Sequence, residues 1–291
     1  MKKYLYNIMV GAVAAFALAS CTSIEEQDSD FVNSLDETKP ALVVFAQSIN
    51  TISHSTGALV AALNFNEYLN APEETKEIVE DEYYKYMKIR HSGELWRIYN
   101  ERWNEKYRLN NSLSLSDEGA EWDIISSPYF FGNEEQDKAI SVERVDKDIF
   151  VIRLTNAKIP VFAQWYNLGE KCNAIIDAEL RVATNDTEQR AIGKSEFTYN
   201  VSGSGRFYDS EYETYSVHFT INTPIEITHR NDGAFIPPCV GDMDITVSQG
   251  EYSEYVSATM SPYNAIMLQY TAMGETYTGY YNWSLNDISP R

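Results

Sequence analysis

Positive charge is scarce in this sequence. Only 23 lysines and arginines stand against 43 aspartates and glutamates over 291 residues, a formal net charge of −20. A nucleic-acid partner needs a basic face for its phosphates, and the chain has no surplus from which to build one. Docking onto anionic lipid by charge alone is excluded for the same reason. Cysteine is nearly absent. Cys21, Cys172 and Cys239 form no Cys-x-x-Cys, so neither a zinc site nor a thioredoxin-like motif is supported. Histidine occurs at positions 54, 91, 218 and 229, with no His-Glu-x-x-His among them. The Gly-x-Ser-x-Gly of serine hydrolases and the Asp-rich calcium loop are both missing. Gly203 and Gly205 make only a Gly-x-Gly, without the strand–helix context that a nucleotide site requires. No motif implies a metal or a cofactor.

Apolar residues are plentiful, at 44% with 13% aromatic, which separates the chain from disordered acidic tails. The length allows one or two domains and a sizeable core. At the N-terminus, Lys2 and Lys3 precede an apolar stretch from Ile8 to Leu18, and Ala19 and Ser20 lead into Cys21. This pattern is a secretory signal and is too short to span a bilayer. Leu18-Ala19-Ser20-Cys21 resembles the lipobox of bacterial lipoproteins. The resemblance implies cleavage before Cys21 and a diacylglyceryl group on its sulfur. The acidic stretch Thr22 to Asp30 is similar to the tether of surface lipoproteins of Bacteroidota. On that resemblance the protein is anchored by lipid at the outer membrane, either surface-exposed or facing the periplasm. An extracytoplasmic location permits a disulfide between Cys172 and Cys239, the alternative being two separate buried thiols.

The expected organisation is a signal peptide over 1–20, a lipidated cysteine and tether over 21–37, a helical segment over 38–82, and an antiparallel β domain over 83–291, with a subdivision near 132–140. Residues 41–66 contain no charged side chain. Leu42, Phe45, Ile49, Ile52, Thr56, Leu59 and Leu63 recur at spacings of three and four, a helical stripe. Ten uncharged polar residues in the same segment argue against a membrane span. The stripe is expected to pack on the protein's own sheet, with a partner chain as the alternative, and Gly57 to divide it into two helices. Positions 73–82 hold six acids against Lys76 and read as a short solvated helix.

Beyond residue 83 the period falls to two. Tyr83–Arg90 and Leu95–Tyr99 flank a turn at His91–Glu94 and read as a hairpin. Over 140–283 about ten short alternating strands follow, clearest at Tyr215, Val217, Phe219 and Ile221, with Ser202-Gly203-Ser204-Gly205 among the expected turns. Tight turns join antiparallel strands, so the fold class is mainly β (α+β): an antiparallel β-sandwich or open barrel with an N-terminal helical segment packed on it.

Chemistry is thinly signalled. His218 and His229 fall on strands read as neighbours, but the alternation places His229 with Ile225 and Ile227 and puts His218 on the polar side. Asp242 and Asp244 share one face, as carboxylates in so acidic a chain often do by chance. The conspicuous residue is tyrosine, 21 of them with five tryptophans. Tyr277, Tyr280, Tyr281 and Trp283 cluster, and aromatic faces stack on sugar rings. The alternation turns Tyr280 away from Tyr281 and Trp283. The expected function is binding or scaffolding at the envelope, with a glycan or a protein as ligand. The alternative is a carboxylate-dependent hydrolase acting on envelope or dietary polysaccharide.

Overall fold

A computed structural model describes residues 41–60, 63, 70–80, 85–91, 94–100, 121–124, 140–160, 173–184, 196–209, 215–230, 235–236, 238–262 and 265–282. The molecule is mainly β and antiparallel, with a helix near the N-terminus. The helix, α1, runs over 41–60 without interruption, so Gly57 does not divide it. One turn of 3₁₀-helix, Glu73–Thr75, is the helix that forms among the described residues of the acidic segment. The chain then enters strand β1 (Lys76–Glu80), which pairs with β2 (Lys85–His91), and β2 with β3 (Glu94–Asn100). The β region therefore starts at residue 76. Two β-branched residues, Ile78 and Val79, in an antiparallel ladder outweigh the helix preference of the acids around them.

The remaining strands build one larger sheet. They are β4 (Glu121–Ile124), β5 (Ile140–Asp146), β6 (Ile149–Pro160), β7 (Asn173–Thr184), β8 (Glu196–Asp209), β9 (Tyr215–Arg230), β10 (Phe235–Ile236), β11 (Gly241–Gln249), β12 (Tyr252–Ser261), β13 (Ala265–Ala272) and β14 (Glu275–Asn282). The hydrogen-bonded order is β14-β13-β12-β11-β9-β8-β7-β6-β5-β4, with β10 also on β9. Among the described residues β4 and β14 do not pair with each other, so the sheet is open.

Alternation sorts the side chains as the sequence requires. Val217, Phe219, Ile221, Ile225 and Ile227 of β9 are buried, as are Met243, Ile245 and Val247 of β11, while His218, Asn222 and Asp244 face solvent. These inner residues and the α1 side chains Phe45, Ile49, Ile52 and Leu59 form one core. Each such side chain contributes about 1.5–3 kcal/mol by leaving water. The helix also buries Gln47, Ser48, Thr51, Ser55 and Thr56. Ser48, Ser55 and Thr56 satisfy their hydroxyls on the carbonyls of Val44, Thr51 and Ile52, one turn back. Among the described residues the Thr51 hydroxyl alone is buried without a partner, so most of this uncharged polar segment lies inside the protein with its hydrogen bonds met.

Two expectations about β8 and β9 change. Ser202-Gly203-Ser204-Gly205 is not a turn but lies in the middle of β8. The register shifts between Val201 and Gly203, and Gly203 has φ of 126°, a β-bulge conformation open to glycine. A Cβ there would meet the carbonyl oxygen of Glu179 at 2.2 Å. At Gly205 a Cβ would come within 2.6 Å of the Phe219 ring, so this glycine admits a large core side chain from β9. The segments around Phe219 and Ile227 are likewise one 16-residue strand that passes through Pro224. Pro224 lacks an N–H, and it lies within the slip against β8 and just past Thr223, the last residue of β9 paired with β11.

Candidate functional site

The tyrosines of β14 do not share a surface. Tyr281 is 6% exposed and belongs to the core. Tyr277 is half-buried on the same face, 6.4 Å from the Tyr270 ring, and its hydroxyl donates to the Glu275 carboxylate. Tyr280 points the other way and is 56% exposed. Trp283 lies outside the described residues, as do Cys21 with the signal and tether, and Cys172. Cys239 is a free thiol that donates to the Glu226 carboxylate at 3.8 Å. Burial, followed by that carboxylate, pushes the thiol's titration up.

Nor do the histidines of β9 meet. His218 and His229 are eleven residues apart on one strand, about 37 Å at strand rise. His229 points inward. Its Nε2 lies 2.7 Å from the Thr56 hydroxyl, and the Tyr199 ring is 6.4 Å away. Gly57 lies beside it, with His229 Cε1 at 3.7 Å from where a Cβ would stand, an ordinary contact distance. Desolvation, aided by the proximity of His54, lowers the His229 pKa to about 4, and burial drives the Tyr199 phenol above its ordinary range. His54 keeps part of its ring at the surface, yet crowding holds it at about 4 as well. The Thr56–His229 contact ties α1 to the sheet. Among the described residues no three His, Cys, Asp or Glu side chains gather as a metal site.

His218 points outward into a feature that the sequence did not reveal. On the outer face of β6 to β9 lies an open cleft of about 380 Å³, lined by Arg153, Asp177, Glu179, Ser204, Arg206 and His218. Register assembles it: Arg153 opposes Glu179, Glu179 opposes Ser204, and Asp177 opposes Arg206, which opposes His218. Arg153 donates to Glu143 at 2.6 Å and to Glu179 at 3.0 Å. The Glu143 hydrogen bond chiefly, against some desolvation and with help from Glu179, raises the guanidinium's pKa further. Asp177 accepts the backbone N–H of Asn156 at 2.7 Å. Asn156 has φ of 50° and lies where the β6–β7 register slips, so the bulge aims that N–H at the carboxylate. The Arg206 guanidinium lies over the Tyr208 ring at 5.0 Å.

The cleft therefore offers fixed acceptors, fixed donors and an adjacent aromatic ring on a rigid ladder. Such a set suits many weak hydrogen bonds to a polyhydroxylated ligand. Ser204 and His218 both line the cleft, but among the described residues no hydrogen bond joins that hydroxyl to the imidazole. Asp244, of the Asp242 and Asp244 pair, is occupied by the Asn222 amide at 2.7 Å. Sequence reading missed the cleft because its residues come from four strands and acquire meaning only through register.

No family model, curated protein or solved structure matches this chain. Among the described residues, no helix is long and apolar enough to cross a membrane.

Proposed function

We propose that the protein is a lipid-anchored component of the bacterial cell envelope, attached to the outer membrane through Cys21, and that it binds glycan in the cleft between Arg153 and His218. The anchor rests on the lipobox-like sequence. The cleft carries the binding role: ordered carboxylates, guanidinium groups and a hydroxyl converge there beside Tyr208. Sugar hydroxyls donate to carboxylates and accept from arginine, so a site of mixed sign serves them well.

Asp177 and Glu179 are the carboxylates on which a hydrolase would draw. Glu179 is 68% exposed and ion-paired with Arg153, and Asp177 is held by the Asn156 amide. Accepting hydroxyl protons is a better use of both than donating a proton to a leaving group, which calls for a carboxyl in apolar surroundings.

A glycan array probed with the purified mature protein tests the binding role. Binding that is lost in Arg206→Ala, with the glycan recovered intact, is the expected result. Release of reducing ends would replace binding with hydrolysis, and silence across the array would leave a protein partner. Radiolabelled palmitate tests the anchor: label should enter the wild type and be lost in Cys21→Ala.

A further inference from the structure

The polar surface does not end at His218. Across the ladder Asp177 opposes Arg206, Arg206 opposes His218, His218 opposes Thr246, and Thr246 opposes Tyr255. Asp177, Arg206, His218 and Tyr255 are exposed and Thr246 is half-buried, all on the outer face. This row crosses five strands, about 19 Å at the usual spacing of neighbouring strands. Tyr255, 55% exposed, stands three strands from Arg206, about 14 Å away. A single sugar ring in the cleft would not reach it. A chain of sugars lying across the strands would.

Charge narrows the ligand. Arg153 is already matched by Glu143 and Glu179, and Arg206 faces Asp177 across the ladder. The row thus has no excess positive charge, in a protein of net charge −20. An acidic polymer meets repulsion here and a neutral one does not.

We infer that the outer face is an extended platform for a neutral oligosaccharide. The polar cleft grips one end of the chain, and Tyr255 forms a distant stacking subsite. The inference rests on the glycan reading and deepens it.

Calorimetry on the purified mature protein provides the test. The probes are neutral gluco-, manno- and xylo-oligosaccharides from disaccharide to hexasaccharide, with the galacturonate hexamer as the acidic counterpart. Affinity should rise roughly tenfold or more with chain length for at least one neutral series. Tyr255→Ala should abolish that rise and leave disaccharide binding unchanged, while Arg206→Ala should weaken every length. The galacturonate hexamer should bind at least tenfold more weakly than the best neutral hexamer. Affinity independent of length, a Tyr255→Ala protein that binds the hexamer like wild type, or preference for galacturonate would each overturn the platform while leaving glycan binding in place. If no sugar in any series binds, both readings fall.

Discussion

His218 and Phe219 are neighbours in sequence, and His218 and His229 share a strand, yet the pairs belong to different physical worlds. His218 looks out over a charged cleft and water. Phe219, one residue on, is wholly buried against Gly205. His229, farther along the same inner face, is a neutral ring bonded to a helix hydroxyl. Residue type thus says little about role in this sheet. The face decides, and the face is set by parity along the strand.

The comparison can be broken most forcefully on the inner side. Phe219→Ala should cost about 3–5 kcal/mol, because a fully enclosed ring leaves a cavity bounded by two strands. Urea unfolding with an unchanged m-value would measure it. A loss below about 1 kcal/mol would mean that the inner face is loosely packed.

Acid comes next. In the unfolded chain His229 titrates near its ordinary 6.5, and in the folded protein near 4. Between those values the unfolded state holds the extra proton, so the contribution is complete above about pH 6.5 and falls as pH drops toward 4. The span is worth about 3 kcal/mol, with a smaller addition from the partly exposed His54. His229→Gln should flatten that part of the stability–pH curve relative to wild type. Equal curves for wild type and His229→Gln would refute the desolvated, neutral ring.

The smallest effect belongs to the outer face. His218→Ala should change stability by no more than about 0.5 kcal/mol, as for exposed positions generally, while weakening glycan affinity. Thermal unfolding and calorimetry on the same protein separate the two. A large stability loss with intact binding would reverse the assignment of faces.

Local pattern carried much of this architecture. The helical stripe from Leu42 to Leu63, the hairpin around residues 85–100 and the alternation at Tyr215–Ile221 are physical consequences of apolar spacing, and the fold has them. Context overrode pattern elsewhere. Ser202–Gly205 has turn composition, but Gly203 serves a bulge and Gly205 accommodates Phe219, constraints imposed by other strands. The acidic segment around Glu77 reads as helix until β2 supplies a partner. The cleft was hidden for the same reason, since Arg153, Asp177 and His218 become neighbours only after four strands are in register. Tyrosine frequency pointed to β14, where parity sends Tyr281 inward and Tyr280 outward.

The helix also has a consequence in time. Thr56 and His229 meet across 173 positions of chain, so α1 leaves the ribosome, and crosses any membrane, long before the strands that will enclose it exist. Closing so long a loop is slow and entropically costly. A helix of leucines and isoleucines alone would wait as an aggregation hazard. Gln47, Ser48, Thr51, Ser55 and Thr56 give the waiting segment groups that water can wet. Once the sheet arrives, Ser48, Ser55 and Thr56 turn their hydroxyls back onto the helix's own carbonyls and give up that water. The same side chains thus keep the unfinished chain soluble and let the finished one bury them.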